Sequence, residues 1–250
     1  MKTFLKKLLI ILFWLALWQL LSLAVSNVIL LAGPIETAKA LFELVPTKDF
    51  WVSVLWSLLR ILAGFLAGTA IGILLASLSA SSKLAEEVLN VPVTVVKAIP
   101  VASFVIMVII WAGNVMLSFW ISLLVVFPTA YFNTLQGIRS TDVKMLEMAR
   151  VYRMPFLSRV RRIYFPSVWP FLRTAVQVGV GMAWKSGVAA ELIGQPLQSL
   201  GNGLYQSKIF LATDQVLAWT VVIVLLSWGT EKLFLWLFGL LRPGRKYGLN

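Results

Sequence analysis

The chain has 250 residues, of which 60% are hydrophobic and only 13% charged, with eleven tryptophans and a mean hydropathy of +0.89. That is too little charge to cover a water-soluble domain of this size, and apolar runs long enough to cross ~30 Å of hydrocarbon make lipid the solvent instead. The absence of cysteine and histidine excludes disulfides, cysteine–histidine nucleophiles and the common zinc sites, so no metal or catalytic centre is expected. The net charge of +12 reads as basic loops beside anionic headgroups, not as a nucleic-acid partner.

Six apolar segments follow in chain order. The first covers about 8–31; its start, MKTFLKKLLIILFWLALWQLL, imitates a signal peptide. The apolar run continues through Val28–Ala32, beyond the ~7–15 residues of a signal core, and is read as a first span. The second, about 52–79, carries Gly64, Gly68 and Gly72 at four-residue spacing, which predicts a face closely approached by another helix. The third, about 88–112, contains Pro92 and Pro100, and the rest lie at about 115–135, 166–192 and 216–241. The reading is an all-α integral membrane protein of one domain with about six transmembrane helices.

The lysines and arginines of the short loops orient the spans. Lys2, Lys6 and Lys7, the loop Ser81–Glu87, the loop Arg139–Arg162, and Arg242, Arg245 and Lys246 fall on one side, which places both termini in the cytoplasm. The opposite side, mainly Gly33–Phe50 and Ile193–Gln215, holds Lys39, Lys48 and Lys208 against Glu36, Glu43, Asp49 and Asp214.

One cytoplasmic stretch stands out: EMARVYRMPFLSRVRRIYFP, residues 147–166, with five arginines and one glutamate. Asp142 is a candidate N-cap, Lys144, Arg150 and Arg153 lie toward the helix end that favours cations, and Met154 precedes a proline that pushes it out of the α region. The segment 140–165 therefore reads as helix, turn, helix. By physics alone, a solvated loop or an interfacial helix on anionic lipid fits it equally well.

Arg60, Lys97, Lys185 and Glu191 fall within or at the edge of spans, where each needs a partner, a water-filled cavity or a route to the headgroups. Arg60 reads as an interfacial residue that snorkels. Lys97 sits before Pro100, where a proline-broken helix would expose backbone carbonyls suited to lining a gate. Lys185 and Glu191 are six residues apart, about 120° off a common helical face, and so are not an i,i+4 pair. Either Lys185 and Trp184 line a solute pathway, with Glu191 near it, or these charges pair structurally with neighbouring helices.

The stretch 147–166 resembles the EAA signature of ATP-binding-cassette importer permeases: Glu147-Met148-Ala149 begins it and Ile163-Tyr164-Phe165-Pro166 ends it at the matching spacing. SLLRILAGFLAGTAIGI (57–73), AIPVASFVIMVIIWAG (98–113) and GMAWKSGVAAELIG (181–194) resemble further blocks of the nitrate/sulfonate/taurine branch. The resemblance implies a type I importer permease in the cell (inner) membrane, with an ATPase subunit (two copies), a second permease copy and an extracytoplasmic solute-binding protein as partners. It also implies that Glu147, Ala149, Arg150, Arg153, Met154, Pro155 and Pro166 belong to the ATPase-coupling segment, and that the outer segments Gly33–Phe50 and Ile193–Gln215 receive the binding protein. The solutes of that branch include nitrate, sulfonates, taurine and thiamine precursors.

The chain has no Gly-Lys dipeptide and hence no P-loop, so ATP and Mg would be held by the partner ATPase, with no cofactor in this chain. One residue departs from the signature: Arg153 occupies the glycine position. The expectation is that Pro155 makes the turn and Arg153 keeps a negative φ. An intramembrane enzyme is the rival class, but no intramembrane aspartate cluster or paired Ser–Lys motif supports it.

Overall fold

The computed structural model describes residues 2–240, and in those residues the protein is built of helices joined by short turns. Its centre is a trio of long helices: α3 (Lys48–Ser79), α6 (Leu117–Arg139) and α9 (Phe165–Gly194). The glycine stripe makes their approach possible. A Cβ on Gly68 would lie 2.7 Å from the Leu123 carbonyl oxygen, and one on Gly72 would lie 2.6 Å from that of Phe127. No side chain fits, so the two backbones touch where glycine leaves room.

Partners along this contact rise together, from Gly64 beside Phe119 to Gly72 beside Ala130, so α3 and α6 run parallel. Ser79 and Tyr131 join hydroxyls at 2.8 Å at the end nearest the basic loop. Helix α9 runs the other way: Gly187 faces Ile61 and Ser122, whereas Val168 packs on Gly137.

Two parallel neighbours require a return crossing, and α4 (Lys83–Ala98) with α5 (Val101–Ala112) supplies it. The pair starts beside the end of α6, where Glu86 forms an ion pair with Arg139, and delivers the chain to Leu117. The interruption expected within 88–112 is a bend of 99° between the two helices. Pro92 stays inside α4 and does not break it, whereas Pro100 caps α5 and forces Ile99 into an extended conformation (φ −69°, ψ 131°).

The first span is shorter than its apolar run. Helix α1 (Lys2–Val25) stops at Ser26, whose φ is +50°, and Asn27–Leu30 forms turns. Trp18 Nε1 donates to the Ala32 carbonyl (3.0 Å) and the Ser22 hydroxyl to that of Leu31 (2.9 Å), folding this apolar stretch back onto the helix end. Phe13 and Trp14 of α1 remain 62% exposed, as lipid contact requires.

A short outer helix, α2 (Pro34–Leu44), follows, its Glu36 carboxylate accepting from Gly33 N–H. At the far end of the chain, α10 (Leu200–Ile209) leads into α11 (Thr213–Leu240). Helix α11 runs parallel to α3, with Trp219 stacked on Phe50 and Phe234 beside Phe65. Leu241, the last residue of the expected sixth span, and Arg242, Arg245 and Lys246 lie outside the described residues.

Four helices, α1, α3, α6 and α11, are long and apolar enough to cross a membrane, and the bent pair makes a fifth crossing. The 30 residues of α9 extend ~45 Å, enough to cross as well. The basic loop folds as α7 (Val143–Val151), a turn, α8 (Phe156–Arg159) and a π-helical turn (Val160–Tyr164) that runs directly into α9.

Candidate functional site

At the basic end, the Asp142 side chain accepts from Lys144 N–H at 2.9 Å and starts α7, as its position predicts. The helix ends differently from expectation. Arg153 has φ +49°, the left-handed region that glycine occupies at small cost and arginine does not. Its N–H donates to Arg150 O (3.0 Å) while Met154 N–H reaches back to Ala149 O (2.9 Å), the paired bonds of a Schellman stop. Arg153 therefore makes the turn itself. Pro155 follows in an extended conformation (ψ 149°) and caps α8, since a proline cannot adopt the positive φ that the stop requires.

Ala149 is buried in this element, while Glu147, Arg150, Arg153 and Pro155 are exposed and Met154 is half-buried. Around the turn, Val151, Tyr152 and Leu157 are 76–78% exposed. A water-facing loop carrying such apolar side chains beside arginines is suited to a protein partner. Pro166 is exposed on the first turn of α9.

Helix α9 presents two unlike faces. Val176, Val180, Ala183 and Trp184 pack into the core, where Trp184 Nε1 donates to Thr230 Oγ1 of α11 (2.9 Å). On the other face Arg173, Gln177 and Lys185 are exposed, and between them a Cβ on Gly181 would meet nothing within 4 Å. Lys185 has no ion pair among the described residues. Trp184 thus does not share the Lys185 face; it is 1% exposed and cannot line a path outside the subunit core.

Glu191 is wholly buried and structural in its contacts. Its Oε2 accepts from Ser57 Oγ (2.7 Å) and from Gly201 N–H (3.2 Å), while Ser57 Oγ also accepts from Leu200 N–H (2.9 Å). Carboxylate and hydroxyl together satisfy the first free amides of α10, where negative charge is favoured. Gly201 is required there because a Cβ would strike Glu191.

Arg60 is not the snorkelling residue the sequence suggests. It is 8% exposed, stacked 5.3 Å over Trp56, with Nε and Nη1 buried and without a partner among the described residues. Lys97 is exposed at the end of α4, 5.1 Å over the Phe132 ring, and Pro100 is exposed at the bend.

Residues 68–247 match the family described as binding-protein-dependent transport system inner membrane component. The chain belongs to this family. It is 26% identical to the putative aliphatic sulfonates transport permease protein SsuC of Bacillus subtilis, over 87% of this chain and 79% of that one. It is 25% identical to the taurine transport system permease protein TauC of Escherichia coli, over 86% and 80%. With the nitrate import permease protein NrtB of Synechocystis sp. it shares 26% identity, over 88% and 81%. Its fold is that of a chain from the crystal structure of an amino acid ABC transporter with histidines, at a TM-score of 0.57 and 19% identity, covering 81% of this chain and 96% of that one.

The protein is accordingly the membrane-spanning permease subunit of an ABC importer, multi-pass in the inner membrane, with the type I importer fold. Its relatives are transport permeases and not enzymes. Three features of this permease escape a residue-by-residue inspection. Gln177 carries a readable signal, two four-residue steps before Lys185 and about 80° from it around the helix, whereas Arg173, twelve residues away, stands about 120° from Lys185 and its exposure is not readable from spacing. Ser57 carries none, because its bonds to Glu191 and Leu200 span 134 and 143 residues of chain.

Proposed function

We propose that the permease carries a small anionic or zwitterionic solute, of the sulfonate, taurine or nitrate kind, along the exposed stripe of α9. The carrying observation is Lys185: an exposed cation in a long helix, without an ion pair among the described residues, with Gln177 and Arg173 exposed further along the same helix. Turned to lipid, such a stripe would cost a few kcal/mol per charge; turned to a water-filled path shared by two permease copies, it stays hydrated and attracts anions. Lys97 and Pro100, at the break between α4 and α5, line the gate of this path. Glu191 and Trp184 support it from behind.

The turn at Arg153, with Glu147, Ala149, Arg150, Met154 and Pro155, docks on an ATPase subunit, one per permease copy, and Pro166 ties the docking segment to α9. ATP and Mg reside on that partner. An extracytoplasmic binding protein meets the outer face, where Phe42, Leu197 and Phe210 are 76–81% exposed. Each partner shifts the permease between inward- and outward-open states by binding one of them better.

The test is uptake by the permease–ATPase complex reconstituted with its binding protein, comparing taurine, an alkylsulfonate, nitrate and a thiamine-precursor pyrimidine. Lys185→Ala should lower uptake of the anionic or zwitterionic solute about tenfold or more, the worth of one charged hydrogen bond, and Lys185→Arg should retain part of it. Undiminished uptake by Lys185→Ala with unchanged preference would exclude the α9 path. Preferential uptake of the pyrimidine would replace the anion as solute.

A further inference from the structure

A cavity of about 550 Å³ lies at the cytoplasmic ends of the spans, away from the exposed stripe of α9. Ile73 and Ala80 wall one side, Ile138 a second, and Val160, Phe165 and Leu172, on the π-helical turn and the start of α9, a third. Its size falls within the roughly 300–1,000 Å³ of small-molecule sites. The lining is mostly apolar, yet the Thr134 hydroxyl in it is buried without a hydrogen-bond partner, its residue only 2% exposed.

The segment forming the third wall is strongly basic. Arg159 lies 5.9 Å over the ring of Phe156, itself a lining residue, and its Nε is buried and unpaired. Arg161 and Arg162 follow within the π-helical turn, exposed and without ion pairs among the described residues. The one ion pair on this side, Arg139 with Glu86, leaves these three arginines uncompensated. A π-helical turn costs helix geometry and is frequent at functional sites; here it places Val160, Tyr164 and Phe165 on the cavity while Arg161 and Arg162 stay outside.

We propose that this cavity is a binding site for an anionic phospholipid of the inner leaflet, with an acyl chain inside and the phosphate on Arg159, Arg161 and Arg162. A mostly apolar chamber at the membrane's inner edge suits a hydrocarbon chain, which would displace little water from its few hydroxyls. Guanidinium groups at its side select a phosphate-bearing headgroup without the compensating choline cation. The bound lipid would brace the junction through which the coupling turn moves α9, so that membrane composition reaches the transport cycle.

The test uses the complete permease–ATPase complex in vesicles of phosphatidylcholine doped with either phosphatidylglycerol or phosphatidylcholine bearing a photoreactive group on one acyl chain. Adducts are mapped by mass spectrometry. Phosphatidylglycerol should label peptides covering 73–81 and 156–172 at least about tenfold more than the choline lipid, from roughly fivefold per arginine near the surface. Arg159→Gln/Arg161→Gln/Arg162→Gln should erase that preference, and Ala80→Leu, which narrows the chamber, should reduce adducts there from both lipids. If Ala80→Leu fails to fold, the arginine variant still decides the matter. Equal labelling by the two lipids, or adducts confined to the lipid-facing helices α1 and α11, would overturn the proposal.

Discussion

Lys185 and Glu191 sit six residues apart on α9 and are both charged, yet the fold treats them oppositely. Lys185 is exposed and unpaired, while Glu191 is enclosed by Ser57, Gly201 and the start of α10. The difference is one of helical phase: about 120° separates the face that packs on α3 from the face that packs on nothing within the subunit. An intramembrane charge therefore carries no role by its presence. The neighbour on its face assigns one.

That contrast can be broken by substitution. Glu191→Ala should have the largest effect, about 3 kcal/mol of stability or more, because it leaves two buried donors, the Gly201 amide and the Ser57 hydroxyl, without their acceptor. Thermal unfolding of the purified complex measures it, and a shift no larger than that of a surface change would mean α10 has another anchor. Trp184→Phe removes the bond to Thr230 and part of the buried ring's packing and should cost about 2 kcal/mol, by the same measurement, with solute preference unchanged.

Arg153→Gly should raise stability by up to about 1 kcal/mol, since glycine adopts the left-handed turn without strain. If the arginine contacts the ATPase, the same variant should lower uptake despite its greater stability. Lys185→Ala should move the unfolding midpoint least, by an amount equivalent to about 0.5 kcal/mol or less, because the side chain is exposed. A large destabilisation there would place Lys185 with Glu191 as a structural charge.

Much of the fold was legible in the chain. The apolar runs at about 52–79, 115–135 and 216–241 overlap the long helices α3, α6 and α11, and the glycine stripe at 64, 68 and 72 announced the α3–α6 contact. The misreadings have specific causes. Hydrophobicity does not distinguish a helix from an apolar turn, so Val28–Ala32 was counted into the first span although the chain reverses after Ser26. Proline marks a break without saying which proline makes it: Pro92 is absorbed in α4, and Pro100 bends the crossing.

At the turn after α7, a missing glycine in the sequence suggests a missing left-handed residue. The Schellman bonds and the proline two residues on hold Arg153 there instead, because backbone hydrogen bonds offset a strain of about 1 kcal/mol.

By itself the sequence determined the solvent, the long apolar helices and the family, because these follow from composition, run length and motifs that are local in the chain. Only the tertiary structure decided which face each charge occupies. It buried Trp184 and Glu191, exposed Lys185, brought Ser57 across 134 residues to Glu191, and left a chamber beside three arginines. Those outcomes depend on which helix arrives at a given face, and that is set by close packing between segments far apart in the chain.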